Sequence, residues 1–390
     1  MKFTVKNDDF KKVASRVVKG VTKDPGAVLS IRFDQDKMKL TAYSVSTFFD
    51  GEVGLKCDEE LTDSIVRVIE PNDFKAILSV LPPESKGGSS IMLDFETEDG
   101  IMFVIRYGSN KLNLRTSSGD IVREEPEIED LALVDGNEFL SNLDNYAKII
   151  PVDPTNVGGQ FYCLHLFFKE DGTTTLMGTD RVVIAEGKMP LGINEEKTFL
   201  LRSSEVSLLG NKSSGFINLI KSPTKFGYKD DLGRCMVSVV DESPVDYVGV
   251  HRAVEAIPHK LKIRFKTSDF EDCLTKVSQL DPIDINVYFD IDTNGSFIKT
   301  SRDDKLAIET DYSLPDKLEF SIMRKSLQNS THLLGEYFEM LVSSSPAGTV
   351  MKLVPLARKV EIIKNDEGEK EEKVSFEVLP NTHICISVNE

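Results

Sequence analysis

Residues 7–23 read NDDFKKVASRVVKGVTK. Wound as a helix at about 100° per residue, the segment puts Phe10, Val13, Val17 and Val21 on one side. Lys12, Arg16, Lys19 and Lys23 gather within roughly 60° of one another on the opposite side. Asn7 fits an N-cap, and Asp8 and Asp9 suit the positive end of the helix dipole. Such a helix buries one face and shows a row of cations with the other. A lysine-rich face taken alone describes many solvated helices. This chain, however, carries a formal net charge of −17, so concentrated cations are out of character for it. The helix also has counterparts further along.

Around it the pattern is strand, helix, strand, strand. Lys2, Phe3, Thr4 and Val5 alternate as a short strand, and AVLSIRF and KMKLTAYS follow the helix as two strands about the polar turn DQD. The pattern restarts at Ser64: SIVRVI, then the helix EPNDFKAILSVL with Pro71 and Asn72 at its start, then a hairpin turning at Asp99-Gly100. Two helix starts share letters, NDDF at 7–10 and PNDF at 71–74. Four further restarts follow, with helices in GNEFLSNLDNYAKII, RSSEVSLLGN, KTSDFEDCLTKVSQL and MRKSLQNSTHLLG and hairpins at Asp171-Gly172 and Asn294-Gly295. Six units at roughly 55–70 residues each are a repeat architecture. The stretches 119–130, acidic with Pro126, and 241–260, with two prolines, read as linkers. They divide the units into three similar α+β domains at 1–124, 125–250 and 251–390. NDEGEKEEK, residues 365–373, reads as a charged, exposed hairpin tip.

Composition narrows the function classes. With 390 residues and 40% hydrophobic content the chain can bury a sizeable core. It has no apolar run of membrane-spanning length and no signal-peptide core, and five scattered cysteines form no CxxC pair. Reduced thiols and a cytoplasmic location are therefore expected. No phosphate loop, dinucleotide fingerprint, HExxH or GxSxG is present, and the five histidines have no metal-ligand spacing. Neither catalysis, a cofactor nor a metal is expected. The other helices also carry cations: Lys75, Lys148, Arg202 and Lys212 around the fourth, Lys276, Arg324 and Lys325. A helix-bearing surface of this kind fits phosphate contact without base readout. No helix–turn–helix or aromatic-studded groove is present to read bases.

At this point the sequence resembles the bacterial or phage DNA-polymerase sliding clamps, the beta-subunit type of processivity factor. The resemblance runs over essentially the whole chain: the MKFTV start, LTAYSVSTFFDGEV (40–53), RYGSNKLNLRTSS (106–118), FYCLHLFFKEDGTTTLMGTDRVVIAEGKMPL (161–191) and SPVDY (243–247), in that order. It implies a head-to-tail homodimer closed as a ring, helices inside and sheets outside, around duplex DNA held without sequence preference. Lys23, Gln160, Phe161 and Tyr162 match positions that approach DNA in the family. The resemblance further implies a pocket for short hydrophobic motifs of the polymerase and the clamp loader, and Cys163, Thr179, Ile184, Val245, Val250, Ile384 and Ile386 match it. Two departures bear on that pocket. Arg181-Val182-Val183-Ile184 replaces the family's Gly-His-Arg-Leu-like run, and the chain ends Asn-Glu instead of Met-Arg-Leu-like. The subunit interface is expected to pair an edge strand holding Lys111, Leu112 and Leu114 with the third domain, where Leu274, Val277 and Leu280 pack. A repeat-built structural or scaffold protein, such as a virion component with no DNA in its hole, is the competing reading. An enzyme with a site of dispersed carboxylates is the third.

Overall fold

Each of the six units opens with a strand that runs into a helix with at most one residue between them. The computed structural model describes residues 1–21, 26–83, 91–98, 102–117, 125–150, 159–210, 213, 215–247, 249, 256, 259–292, 295–308, 318–345, 348–364, 370–379 and 382–388. In the first unit β1 (Lys2–Lys6) meets α1 (Asn7–Val17), followed by β2 (Val28–Phe33), β3 (Lys37–Tyr43) and β4 (Thr47–Cys57). The second has β5 (Ile65–Ile69), α2 (Pro71–Val80), β6 (Met92–Glu98), β7 (Met102–Tyr107) and β8 (Asn110–Ser117). The third has β9 (Glu129–Asp135), α3 (Gly136–Ala147), β10 (Cys163–Phe168), β11 (Thr173–Thr179) and β12 (Val183–Pro190). The fourth has β13 (Lys197–Arg202), α4 (Ser203–Leu209), β14 (Phe216–Lys221), β15 (Lys225–Asp230) and β16 (Gly233–Ser238). The fifth has β17 (His259–Lys266), α5 (Thr267–Leu280), β18 (Asn286–Asp292), β19 (Gly295–Lys299) and β20 (Lys305–Ile308). The sixth has β21 (Leu318–Met323), α6 (Arg324–Thr331), β22 (Tyr337–Ser345), β23 (Gly348–Lys364), β24 (Lys370–Val378) and β25 (Thr382–Val388). The expected order holds, with a third strand after the helix in the first five units and a third and fourth in the sixth.

Leading strands are exchanged between neighbours. β1 joins β6 of the second unit, and β5 joins β2 of the first. The same swap links β9 to β14 and β13 to β10, then β17 to β22 and β21 to β18. The exchange pairs the units, because neither sheet of a pair is complete without the other unit's first strand. Where the shared letters lie, the chemistry is shared too. Phe10 of NDDF and Phe74 of PNDF meet edge-to-face at 6.1 Å, and Phe10 also packs on Phe95 at 5.3 Å. Phe3, Phe33 and Phe103 complete a fully buried aromatic core. The third pair repeats this arrangement with Phe265, Phe270, Phe289, Phe320 and Phe338.

The chain packs as two units, Met1–Leu140 with Ser204–Val239 and Ser141–Ser203 with Val240–Glu390. The first holds a twelve-stranded sheet, in which the ladder passes directly from β4 to β16. The second holds a nine-stranded sheet, in which β12 pairs with β25, and a separate four-stranded sheet. The middle pair of repeats thus contributes one sheet to each. The charged hairpin is a ribbon in which, among the described residues, β24 pairs only with the outer half of β23, from Leu356↔Val378 to Lys364↔Lys370. Its tip, 365–369, lies outside the described residues.

Candidate nucleic-acid interface

Helix α1 buries Phe10, Val13, Ala14 and Val17, as its period demands, and tightens into a 3-10 turn at Val18–Gly20. Asn7 is not the cap. It is the first helical residue, fully buried, and its side chain donates to the carbonyl of Pro82 at 3.2 Å. Lys12 and Lys19 are exposed. Arg16 leaves the expected cationic row. Its guanidinium turns inward, pairs with the Asp230 carboxylate, donates to the Gly233 carbonyl at 3.1 Å and to Cys235 Sγ at 2.8 Å, and lies 5.0 Å from the Tyr228 ring centre. Burial pushes the Cys235 thiol up to about 11, against the lowering pull of Arg16. The reason for the inward turn is the β4–β16 seam. Gly233 has φ +126, and a Cβ there would stand 2.1 Å from the Asp50 carbonyl, so the backbones approach closely enough for α1 to reach β15 and β16. Asp50 on β4 takes the Arg234 fork, and Glu125 joins both Arg234 and Lys39. Against the raising effect of its burial, these two cations hold the Glu125 carboxyl down at about 2. Lys23 lies outside the described residues.

Elsewhere many of the expected helix cations are engaged by their own neighbours. Lys148 pairs with Asp144 at 3.0 Å and Lys276 with Asp272 at 2.5 Å, each one helical turn apart. Arg324 donates to the carbonyls of Asp281 at 2.6 Å and Pro282 at 3.2 Å, just past the end of α5, which is a structural use of the cation. Arg202 and Lys325 are exposed. Gln160 and Phe161 are half-buried and Tyr162 is buried, in the 3-10 turn before β10.

The nine-stranded sheet has a helix face and an outer face, and register assigns the expected pocket residues between them. Gly178 and Gly187 face α3, where an added Cβ would meet Tyr146. Ala185 lies opposite both Gly178 and Ile384, and Val183 lies opposite Ile386. Ile384 and Ile386 therefore share the helix face and are fully buried. Thr179 lies opposite Ile184, and Ile184 opposite Cys385. The His165↔Met177 register puts Cys163 level with Thr179. The row on the outer face is thus Cys163, Thr179, Ile184 and Cys385, and the C-terminal strand contributes Cys385 instead of the two isoleucines. A one-residue offset in an alternating strand exchanges its faces, so the expected pocket residues of the C-terminal strand and those of β11 and β12 lie on opposite sides of the sheet. Residues 243–247 cross the outer face: Tyr247 rests 4.9 Å from Phe167, and Val245 beside it is half-buried. Val250 is outside the described residues. His165, fully buried on this face, donates from Nε2 to the Gln160 carbonyl at 2.9 Å, and burial pulls its pKa down.

No protein-family model and no curated protein sequence matches the chain. Solved structures do match, over its full length. Pol III beta of Caulobacter crescentus aligns with a TM-score of 0.76 at 14% identity, covering 100% of both chains. The DNA polymerase III beta chain of Streptococcus pneumoniae TIGR4 gives 0.77 at 13%, and the DNA polymerase sliding clamp of Bacillus subtilis 0.77 at 15%, each covering 100% of this chain and 99% of the other. The fold is that of the bacterial DNA polymerase sliding clamp. At this identity the clamp likeness lies in the repeated, strand-exchanged topology and not in shared side chains.

Within the clamp fold the expected interface residues fall into two groups. β8 pairs with β7 along its length, but with β5 only at Ser117 and Thr116, so among the described residues 110–115 keep an open edge. Lys111 is exposed and Leu112 half-buried on that edge, whereas Leu114 is 0% exposed and packs inward. On α5, Leu274 and Val277 are each 1% exposed and belong to the core, while Leu280 is 46% exposed. Leu274 and Val277, expected to pack across the subunit interface, instead form the helix's own buried face. Ile283 and Ile285, 84% and 64% exposed just beyond the helix, were not among the expected residues. β20 pairs only with β19 among the described residues and is the open edge of its sheet.

Proposed function

We propose that the chain is a sliding clamp, closing as a head-to-tail homodimer around duplex DNA and tethering a replicative polymerase without catalysis or sequence-specific binding. What supports the reading above all is the clamp fold over the entire chain, with six strand–helix units of which none is left over. The units form three clamp domains at 1–124, 125–250 and 251–390. Six helices per chain need a second copy to surround a duplex, and the open edges of β8 and β20 are the strands that would meet. Leu112, Leu280, Ile283 and Ile285 would be covered there. DNA would be touched chiefly by Lys12, Lys19 and Lys325, because their charges are not spent on carboxylates among the described residues. Sparse, water-mediated phosphate contact favours sliding over tight holding. The outer-face row of Cys163, Thr179, Ile184 and Cys385, crossed by residues 243–247, would receive apolar segments of the polymerase and of the clamp loader. The work would be done in the cytoplasm of a bacterium or a phage-infected host.

The deciding experiment loads the protein onto nicked circular DNA and then linearises the circle. Retention on the circle and loss from the linear form is the expected result. A protein that stays monomeric at every concentration and is never retained on closed circles would overturn the proposal in favour of a scaffold role. Changing Lys12 and Lys19 together to alanine should leave the dimer intact and weaken DNA binding. The salt slope of binding should fall by about one unit for each phosphate that is no longer neutralised.

A further inference from the structure

Among the described residues two that are not glycine have a left-handed backbone, and one of them stands at the end of the outer-face row. Arg181 has φ +78 in the tight turn between β11 and β12. Few side chains other than Asn and Asp adopt that region without cost, and such strain persists where the surroundings over-determine it. Here they do. The Arg181 amide donates to Thr179 Oγ1 at 3.0 Å, and that hydroxyl donates to the Val183 carbonyl at 2.8 Å. The amides of Val182 and Val183 donate to Asp180 Oδ1 at 2.9 and 2.6 Å, and Ser326 Oγ on α6 donates to Asp180 Oδ2 at 2.5 Å. The turn is therefore locked by groups other than the arginine side chain, and its hydrogen bonding does not require an arginine there.

The side chain itself is exposed and lies over the Phe161 ring, with the guanidinium carbon 5.4 Å from the ring centre. Among the described residues it has no carboxylate partner, because the neighbouring Asp180 is fully used by the turn and by Ser326. A guanidinium on an aromatic face keeps its edge of N–H donors free and its position fixed. Its amide is held by Thr179 at the end of the outer-face row, where Ile184 is half-buried and Cys163, Thr179 and Cys385 are buried. A planar, pre-positioned fork of donors beside an apolar strip is complementary to a carboxylate carried next to apolar side chains.

We propose that Arg181 is a specificity residue of the partner surface: it selects an extended segment of a partner protein in which a carboxylate flanks apolar side chains that pack on the half-buried Ile184. This rests on the reading of the outer face as the docking surface. DNA is the less fitting occupant, because α3, one of the six helices the clamp reading turns toward DNA, packs on the other face of this sheet.

The test uses the full-length protein and fluorescent, end-blocked hexapeptides of two leucines, one phenylalanine and three alanines. One alanine at a time is replaced by Asp, Asn or Lys, and binding is followed by anisotropy. The wild type should bind an Asp peptide at least about fivefold more tightly than its Asn counterpart at one or more positions. R181G, which suits φ +78 and should melt at or above the wild-type temperature, should bring that ratio to within about twofold. R181E should favour the Lys peptide instead. An Asp preference that survives in R181G overturns the proposal and leaves the docking surface standing. So does equal binding of Asp and Asn peptides by the wild type. Loss of DNA retention in R181G with unchanged peptide ratios overturns it in favour of a DNA contact. If none of the peptides binds the wild type, the docking surface itself is refuted and the proposal falls with it.

Discussion

Replacing Arg16 by methionine should unfold the protein more readily without acting first through DNA. The side chains of Arg16 and Asp230 are 13% and 9% exposed, so the change leaves a carboxylate almost buried and without its cation. Breaking a fully buried pair from one side costs about 3–5 kcal/mol. Two features reduce the figure here. The pair is not completely dry, and Asp230 Oδ1 keeps the Leu232 amide at 2.9 Å. Methionine also retains much of the packing against Tyr228. The expected loss is about 2–4 kcal/mol. It would be read as a lower urea midpoint by circular dichroism, since the chain has no tryptophan to report by fluorescence. Removing both charges in R16M/D230N should restore most of it, with a coupling energy of at least about 1.5 kcal/mol. K12A/K19A should stay within about 0.5 kcal/mol of wild type, because both lysines are solvated. If R16M kept the wild-type midpoint while losing DNA retention as K12A/K19A does, Arg16 would be a DNA contact and the structural assignment would be wrong.

His165 is neutral in the folded state because burial lowers its pKa below the ordinary 6.5, whereas the unfolded chain takes up a proton at that value. Stability should therefore fall as pH drops below about 6.5, at up to about 1.4 kcal/mol per pH unit. The urea midpoint of H165Q should fall less steeply between pH 7 and 5.5, and parallel curves would count against the assignment. G233A should cost more than about 2 kcal/mol, since the new methyl meets the Asp50 carbonyl, while G192A, at φ +71 with open space around it, should cost about 1. Equal midpoints for the two variants would show that the β4–β16 seam can relax. The Phe10–Phe74 contact should give a coupling energy of about 0.5–1.5 kcal/mol in a double-mutant cycle with leucines. Additivity would mean that the edge-to-face geometry contributes nothing beyond burial.

The helices were legible because each begins one strand after a restart of the alternating pattern, and the period is local. NDDF and PNDF even marked the two phenylalanines that meet in the core. What was not legible is non-local. The exchange of β1 and β5 between neighbouring sheets leaves each strand's own pattern unchanged, so nothing within the segment records it. Ile384 and Ile386 look like pocket floor by position, but only the ladder with β12 reveals which face they take. Leu274 and Val277 are apolar in either role, and the choice between core and interface depends on where α5 lies over its sheet.

Arg16 is the most instructive case, because its angular position on α1 is that of a solvent-facing cation and its charge is nevertheless used internally. The same holds, more weakly, for Lys148 and Lys276, which face their own helix's carboxylates. Counting basic residues along the helices therefore overstates the positive charge available to a phosphate backbone. For the proposed clamp, which would stay on DNA without gripping it, that shortfall fits the task. Retention by topology needs no affinity, and each additional phosphate contact would add a release step to every movement along the duplex. On that proposal the cations that pair internally would stiffen the scaffold, and the few that remain solvated would set the friction. A variant in which Asp144 and Asp272 are changed to asparagine frees two such cations per chain. It should bind DNA more tightly at low salt, with a steeper salt slope, and diffuse along it more slowly in single-molecule tracking. Unchanged diffusion together with an unchanged salt slope would show that α3 and α5 do not face the duplex.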